Sequence, residues 1–439
     1  MQTRFAPPVR QGPSVRPRFG AGPEAGSYRV AGVAEGRIAL FLMAVAVALI
    51  PFLKPSGPAN IGPVDPFIAL ALAGSLLWIG TSAHRLRFPY VVGVGLFMVG
   101  GLLGALAGPA PDAGLLAIVQ DVVLVAWCWA VANLSSNAGR LRVLLATWTY
   151  SSIVWAILLF VGLATGNATL SGQTDREASR TALTFGDPSF SANYYFVSMM
   201  IIWATQRPRN RVVRLLAYVL LLSALLSTGS NSGIVSVVVG SVVASLLAIH
   251  RRSGTMATLS ALSAFLLVAF VLASTVSMDS IRARAHESQY GFLRDGIGRS
   301  VVSEAQRGTL LRESLHLYST GGPLGEGPVS TKTRLDAEMA PFIKEAHNDY
   351  FAALVERGPI GLLGLLIFLA ALATYSLTLV RGRLSDGFAA VISKPNALVG
   401  AVCGTMLAST VYELLHLRHL WALFAMVAAV SIWGRRAPD

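Results

Sequence analysis

Apolar runs long enough to span a membrane recur along this chain, and they restrict its fold more than any other feature. A helix of about 20 apolar residues crosses the roughly 30 Å hydrocarbon core of a bilayer. Lipid offers no hydrogen-bond partner, so a spanning segment must satisfy its own backbone, as a helix does. Only 13% of the residues are charged, whereas soluble domains carry about 25%. The sequence therefore predicts an all-α, polytopic membrane protein.

The positions of these runs predict about twelve transmembrane helices. Basic residues concentrate in alternate short loops, and the positive-inside rule then places both the N- and the C-terminus in the cytoplasm. We interpret the net charge of +13 as membrane topology and attraction to membrane lipids, rather than as nucleic-acid binding. The expected spans are 37–53, 66–83, 90–108, 114–134, 143–164, 190–206, 212–227, 233–250, 256–276, 359–380, 397–415 and 419–434.

The apolar pattern divides the chain into four regions, one of which is a long polar loop. A connection of about 80 residues is generally functional or disordered. Helical spacing within 303–318, and a further helix expected from about Ala346 to Arg357, indicate that this loop contains short helices. The regions are a basic, disordered cytoplasmic tail (1–36), transmembrane helices 1–9 (37–276), a large extracytoplasmic loop (277–358), and transmembrane helices 10–12 with a short cytoplasmic C-terminus (359–439).

The densest polar cluster near a predicted membrane boundary is Glu345–Phe351, with His347 inside it. A histidine suits a general base at neutral pH because its unperturbed pKa is about 6.5. Glu345 and Asp349 flank the histidine and are candidates for orienting its ring. The structural alternative is a histidine at a helix start, with Asn348 or Asp349 as the capping residue. The sequence leaves both interpretations open.

Arginines accumulate in the predicted outer loops. The guanidinium group matches phosphate oxygens and stays charged. A basic funnel at the bilayer surface therefore suits an anionic, membrane-embedded ligand such as a polyprenyl diphosphate. The alternative is that these arginines pair with nearby carboxylates or touch lipid headgroups. They are Arg176, Arg180, Arg282, Arg284, Arg294, Arg299, Arg307 and Arg312.

Other kinds of site find little support in the sequence. Cys128 and Cys403 lie within apolar runs and predict neither a disulfide framework nor a metal cluster. The sequence contains neither a Walker loop nor a dinucleotide fingerprint, so we expect no cofactor and no metal. Asp121 is a conspicuous acidic residue within a predicted span, and we favour a packed interior role for it over a proton or ion pathway.

Three motifs follow one another before the last predicted spans: Pro323–Pro328 (PLGEGP), His347–Tyr350 (HNDY) and Glu356–Gly361 (ERGPIG). Their order and spacing resemble the O-antigen ligase and polymerase superfamily, in which a PLxGxGP loop precedes HNxY or HNxF and then ExGxxG at the entry to a spanning helix. Two weaker elements agree with this resemblance, Thr184–Tyr194 and Thr228–Ser230.

Single positions both extend the resemblance and depart from it. Arg307 precedes Leu311–Leu315, where the family has an arginine ahead of an amphipathic helix. Asn231 directly follows Ser230, where the family often has an arginine, and asparagine donates hydrogen bonds without carrying charge. Ser189 stands where the family usually has asparagine.

The resemblance implies a GT-C-like fold and a metal-independent, inverting glycosyltransferase of the bacterial inner membrane. Its donor would be a polyprenyl-diphosphate-linked glycan, and loop 277–358 would hold the catalytic site outside the cytoplasm. His347 is implied as the general base for the acceptor hydroxyl. The implied binding residues for the substrate or its diphosphate are Arg307, Arg180, Arg312, Asn231, Asn348 and Tyr350.

The identity of the acceptor separates two activities within this family. A polymerase transfers the glycan to another glycan, and we favour it because the Arg-, Ala- and Gly-rich, Lys-poor composition is typical of a high-GC bacterium. A ligase would transfer the glycan to lipid A core or to a protein. A transporter of lipid-linked glycan is a competing class, which would place polar residues at membrane depth. In this sequence the polar residues concentrate in the outer loops instead.

Overall fold

A computed structural model describes most of the 439-residue chain. In the part that it describes, every regular element is an α-helix and no strand occurs. Of residues 25–35 only the backbone is described, and most of the predicted basic tail lies outside the described residues. The described residues are 25–54, 60–81, 86–173, 180–275, 277–289, 294, 308–309, 312–313, 315–331 and 348–435.

Each predicted span overlaps a helix of the structure. The first helix begins at Ala25, before the predicted start of the first span at residue 37. A short helical stretch at 315–320 lies in the predicted outer loop. Apart from this short stretch, the helices are numbered in chain order. They are α1 (Ala25–Ala48), α2 (Asp65–Thr81), α3 (Val91–Ala107), α4 (Pro111–Leu134), α5 (Ala138–Thr165), α6 (Ala168–Ser171), α7 (Pro188–Thr205), α8 (Arg211–Ser227), α9 (Asn231–Thr275), α10 (Met278–His286), α11 (Asp349–Arg381), α12 (Asp386–Ala389), α13 (Pro395–Ala408) and α14 (Arg418–Trp433).

The lengths and composition of these helices agree with a helical membrane protein. Among the described residues, 4 helices are long and apolar enough to cross a membrane. They are Pro111–Leu134, Ala138–Thr165, Asn231–Leu272 and Asp349–Arg381. Shorter apolar helices accompany them, so the count of about twelve crossings and the GT-C-like arrangement stay predictions.

Two glycines divide the longest helices. Gly254 in α9 has φ 81° and ψ −173°, and Gly358 in α11 has φ 63° and ψ −172°. These conformations lie outside the helical region and favour glycine, because a Cβ atom would strain them. α9 thus consists of two helices, as the adjacent predicted spans require. In α11, a short helix ending at Arg357 precedes the apolar helix that starts at Pro359, as the sequence predicts.

α13 ends at Ala408, earlier than the predicted end at residue 415. The backbone N–H groups of Leu414 and Leu415 donate to the carboxylate of Asp349, at 2.9 and 3.3 Å, instead of bonding within a helix. A tertiary partner therefore replaces the last part of the predicted span. We call the resulting connection 409–417 the α13–α14 loop.

Glycines allow α3 and α11 to pack closely. A Cβ atom added to Gly93 would lie 2.4 Å from the backbone nitrogen of Phe368, and one added to Gly100 would lie 2.4 Å from that of Gly361. On the facing helix, a Cβ atom on Gly364 would lie 2.2 Å from the nitrogen of Phe97. Small residues commonly bring helices together in membranes, where backbones approach closely. This contact fixes α11, which carries two of the family-like motifs.

Where a short described connection joins two neighbouring helices, the helices run in opposite directions, and the described loops fall into two sets. We call the set formed by 180–189, 228–231, 321–331, 348–357 and 409–417 the motif end. We call the set formed by 86–88, 135–137, 206–210, 250–254, 382–394 and 434–435 the arginine end. Backbone hydrogen bonds hold the arginine end together, from Lys394 to Ala204 at 3.0 Å and from Ser385 to Gly434 at 2.8 Å.

Candidate functional site

Asn348 caps the short first helix of α11 and attaches it to the α13–α14 loop. Its side-chain oxygen accepts hydrogen bonds from the backbone N–H groups of Tyr350 and Phe351, at 2.9 and 3.1 Å. These amides have no partner within the helix, so the cap stabilises the helix start. The side-chain amide nitrogen of Asn348 donates to the carbonyl of Thr410 at 2.7 Å. The capping role that the sequence allows for Asn348 or Asp349 thus falls to Asn348.

Asp349 ties the same helix start to the α13–α14 loop by a different route. Its backbone N–H donates to the carbonyl of Ser409 at 3.0 Å. Its carboxylate, on a residue only 8% exposed, accepts the two loop amides described above. The Tyr350 hydroxyl donates to the carbonyl of Met406 at 3.1 Å. The described part of the HNDY motif is therefore held by hydrogen bonds to α13 and to the loop that follows it.

The start of α7 meets the α13–α14 loop from the other side. Asp187 caps α7 by accepting a 2.6 Å hydrogen bond from the backbone N–H of Ser189, and its other carboxylate oxygen accepts a hydrogen bond from the hydroxyl of Tyr412. The ring of Phe190 packs edge-on against Tyr412 and His416, with centroids 5.5 and 4.9 Å apart. The Thr184–Tyr194 element and the described part of the HNDY motif are thus linked through one loop.

The Thr228–Ser230 element lies beside the start of α7. The guanidinium Nε of Arg180 donates to the carbonyl of Thr228 at 2.8 Å. The hydroxyl of Ser230 donates to that of Ser189 at 3.4 Å. Asn231 begins α9 with an exposed side chain. Two of the predicted binding residues, Arg180 and Asn231, therefore lie on the same small patch of the motif end.

The PLGEGP loop packs against the break in α11 at Glu356–Pro359, which we call the ERGP turn. The backbone N–H groups of Glu326 and Gly327 donate to the carbonyls of Val355 and Glu356, both at 2.9 Å. Gly325 has φ 88°, and a Cβ atom on it would lie 2.6 Å from the backbone nitrogen of Gly358. Only a residue without a Cβ fits this approach without displacement. The two motifs are thus two sides of one backbone contact.

Glu356 secures this contact through its side chain. One carboxylate oxygen accepts the backbone N–H of Val329 at 3.1 Å, and the other accepts the hydroxyl of Thr331 at 2.8 Å. The residue is 9% exposed. Its position accounts for a glutamate in the ExGxxG pattern by loop anchoring, since both of its oxygens hold the segment that follows PLGEGP.

Arg357 and Asp121 form an ion pair between α11 and α4. The distance from Nη1 of Arg357 to Oδ2 of Asp121 is 2.7 Å, and the guanidinium also lies 3.9 Å from the ring centroid of Phe97. A carboxylate within a predicted span is costly unless it is paired. The packed interior role that the sequence favours for Asp121 agrees with this pair.

Arg418 is occupied by a second internal ion pair. Its Nε and Nη2 atoms donate to the two carboxylate oxygens of Asp65 at 3.0 and 2.7 Å, and the residue is 4% exposed. Nη1 of Arg418 also donates to the carbonyl of His416 at 3.3 Å. Burial, and secondarily the charge of Arg418, lowers the pKa of His416 to about 3. His416 is therefore a neutral imidazole at pH 7.

The remaining predicted site residues are only partly placed. His347 and Arg307 lie outside the described residues, so no distance involving either is given by the structure. Arg312 is described and has an exposed side chain. The structure brings Arg180, Asn231 and the Asn348 helix start to the motif end, whereas the grouping of His347 with Arg307 stays a prediction.

Sequence reasoning missed the α13–α14 loop as the element that joins the motifs. Tyr412 and Asp187 are 225 residues apart, and no local pattern links them. The signal for Asp187 was available, because an aspartate directly before a proline is typical of a helix N-cap followed by proline at the first helical position. For Tyr412 and His416 no such signal exists.

Residues 216–369 match the family model described as O-antigen ligase. The match confirms the resemblance to the O-antigen ligase and polymerase superfamily. Below, we call residues 216–369 the O-antigen ligase region. It contains Thr228–Ser230 and the PLGEGP, HNDY and ERGPIG motifs, whereas the start of α7 precedes it. None of the curated proteins matches the chain.

Proposed function

We propose that this protein is a glycosyltransferase that moves a glycan from a polyprenyl-diphosphate donor to a hydroxyl of a glycan acceptor. The O-antigen ligase region supports glycan transfer of the ligase or polymerase type. The observation that carries the proposal is the meeting of family-like motifs on one loop, since Asn348 bonds to Thr410 and Asp187 bonds to Tyr412. Asn348 and Asp187, two motif residues from distant parts of the chain, thereby share the motif end.

In this mechanism His347 accepts the proton of the acceptor hydroxyl as its oxygen attacks the anomeric carbon. The bond between that carbon and the diphosphate oxygen breaks, and the diphosphate leaves with the bonding electrons. A single displacement of this kind inverts the anomeric centre and needs no metal. Asn348, the residue that follows His347 in the chain, caps the start of α11, and the proposal assigns to this cap the role of positioning the general base.

Charge on the leaving diphosphate is stabilised by arginines, since charge-assisted hydrogen bonds to phosphate oxygens are strong. We assign this role to Arg180, Arg307 and Arg312. Arg180 is held by the carbonyl of Thr228 at 2.8 Å, which orients its guanidinium group. Asn231 and Tyr350 complete the proposed binding residues.

The proposed location is the bacterial inner membrane, which the chain crosses several times with both termini in the cytoplasm. Arginines of the loops at the arginine end support this orientation through the positive-inside rule. In it, 1–36 forms a cytoplasmic tail, 37–276 and 359–439 carry the spans, and 277–358 forms the catalytic loop outside. The membrane then delivers the donor lipid laterally to the motif end.

The decisive experiment incubates the purified protein with a polyprenyl-diphosphate-linked repeat unit and measures glycan transfer. We expect His347→Ala to abolish transfer while leaving the thermal unfolding temperature in detergent unchanged. His250→Ala is the matched control, because His250 is exposed and lies at the arginine end. Full activity of His347→Ala would end the proposal.

The products of the same experiment identify the acceptor. A ladder of growing glycans identifies a polymerase, which we propose, and a single transfer to lipid A core or protein identifies a ligase. Movement of intact lipid-linked glycan across a vesicle bilayer, without a new glycosidic bond, would replace the enzyme by a transporter. The pairing of Asp121 with Arg357 favours the enzyme, since a transporter would use intramembrane charge along its pathway.

A further inference from the structure

An apolar groove lies near the arginine end, on the side of the molecule opposite to the motif end. It has a volume of about 560 Å³ and opens to the surface of the protein. Its walls come from α3, α4 and the segment that precedes α3. The lining residues are Leu86, Arg87, Phe88, Met98, Val122, Val125, Ala126 and Trp129.

One face of α4 forms the floor of this groove. Val122, Val125, Ala126 and Trp129 follow the spacing of a single helix face. From Val122 to Trp129 the helix rises roughly 10 Å, which gives the groove an elongated floor. The floor ends in Trp129, whose ring stacks on that of Phe88 with centroids 6.4 Å apart. The groove therefore suits an extended apolar chain that enters from the lipid-facing side.

Arg87 is the charged group of the lining. Its backbone is fixed to α4, because the side-chain oxygen of Asn133 accepts its N–H at 2.9 Å and the side-chain amide of Asn133 donates to its carbonyl at 2.8 Å. Its side chain is exposed at the end of the groove where the chain leaves α4. An exposed cation on an anchored backbone thus lies at one end of an apolar groove.

We propose that this groove binds one acyl chain of an anionic phospholipid, whose headgroup phosphate contacts Arg87. The apolar floor accepts the hydrocarbon, and the guanidinium group accepts the phosphate charge. In the predicted orientation the arginine end faces the cytoplasm, where anionic lipids attract basic residues at the membrane surface. The donor diphosphate would require the arginines of the motif end, so this site is separate from the proposed reaction.

The test measures lipid binding to the full-length protein in detergent by native mass spectrometry. Dioleoylphosphatidylglycerol is the anionic probe and dioleoylphosphatidylcholine the zwitterionic one. We expect the unmodified protein to prefer the anionic lipid. Arg87→Gln should weaken binding of the anionic lipid about fivefold, the loss that corresponds to one surface cation, and should leave the zwitterionic lipid unaffected.

Two further variants separate the groove from general surface charge. Arg142→Gln removes an exposed arginine of α5 outside the groove and should keep the preference. Val122→Trp fills the groove at a position 48% exposed, where the larger ring need not disturb the core, and should weaken binding of both lipids.

Three results would overturn the proposal. The first is an unchanged preference in Arg87→Gln or an equal loss in Arg142→Gln. The second is full lipid binding in Val122→Trp. The third is evidence that something else occupies the groove. That evidence would be a protein dimer that Val122→Trp dissociates, or displacement of the phospholipid by polyprenyl phosphate at equal concentration.

Discussion

The hydroxyl of Tyr412 donates a hydrogen bond to the carboxylate of Asp187, which joins the α13–α14 loop to the start of α7. The same loop bonds to Asn348 through the carbonyl of Thr410. One connection of the chain therefore holds both the segment that enters α7 and the helix start that follows His347. We expect the spacing between these elements to depend on this loop.

Replacing Tyr412 by phenylalanine removes the link to Asp187 and keeps the ring that packs on Phe190. Hydrogen bonds to charged groups contribute about 1.5–3 kcal/mol, so we expect glycan transfer to fall at least about tenfold at unchanged expression. The measurement is the initial rate with a lipid-linked donor. Tyr150→Phe, at an exposed position of α5, is the control and should keep the full rate. Equal rates for both variants would contradict a role for the link.

Gly325→Ala should displace the PLGEGP loop from the ERGP turn. The left-handed φ of 88° costs an alanine roughly 1–2 kcal/mol, and its Cβ would lie 2.6 Å from the nitrogen of Gly358. We expect loss of transfer and a lower thermal unfolding temperature. Gly322→Ala lies in the same loop, and a Cβ there meets nothing within 4 Å. If both alanine variants behave alike, the backbone contact does not determine the effect.

Breaking the ion pair between Asp121 and Arg357 should destabilise the protein strongly. The pair is 2.7 Å apart and nearly buried, and removing one partner of a buried pair costs about 3–5 kcal/mol because it strands the other charge. Asp121→Asn and Arg357→Gln should each lower the unfolding temperature in detergent, and the double variant should recover part of the loss. Additive losses in the double variant would show that the two residues do not stabilise the protein as a pair.

Acidification should destabilise the protein through His416. Its pKa is lowered to about 3 in the folded state, whereas an unfolded histidine titrates near 6.5. The unfolded chain therefore binds a proton that the folded one does not. The contribution of His416 to stability is complete above about pH 6.5 and decreases as the pH falls toward 3.

The measurement for this prediction is the unfolding temperature between pH 7.5 and pH 5. We expect the unfolding temperature of His416→Gln to decrease less than that of the unmodified protein. In free energy of unfolding, the difference should be up to about 1.4 kcal/mol for each pH unit below 6.5. His250→Gln removes an exposed histidine and should follow the unmodified protein. The idea fails if His416→Gln retains the whole decrease.

The positions of the helices follow from the sequence because the length of an apolar run is a local property. The break at Gly358 is local as well, since glycine followed by proline ends one helix and starts the next. The cap by Asn348 was one of two alternatives that the residue types allowed. The order of the PLGEGP and HNDY motifs likewise sufficed to indicate the family.

The end of α13 and the partners of the buried charges did not follow from the sequence. The pattern extends the predicted span 397–415 to residue 415, but the carboxylate of Asp349 accepts the backbone N–H groups of Leu414 and Leu415, and a loop replaces the end of the helix. Arg418 is paired with Asp65, 353 residues away in the chain, and no local pattern links the two residues.

The sequence by itself determined that this chain is helical, where most helices lie, and which family its motifs resemble, because each depends on residues close together in the chain. Only the tertiary structure decided that the α13–α14 loop joins Asn348 to Asp187, and that Asp121 is neutralised by Arg357. The physical reason is that buried polar groups need partners. Which partner each one finds depends on how the helices pack.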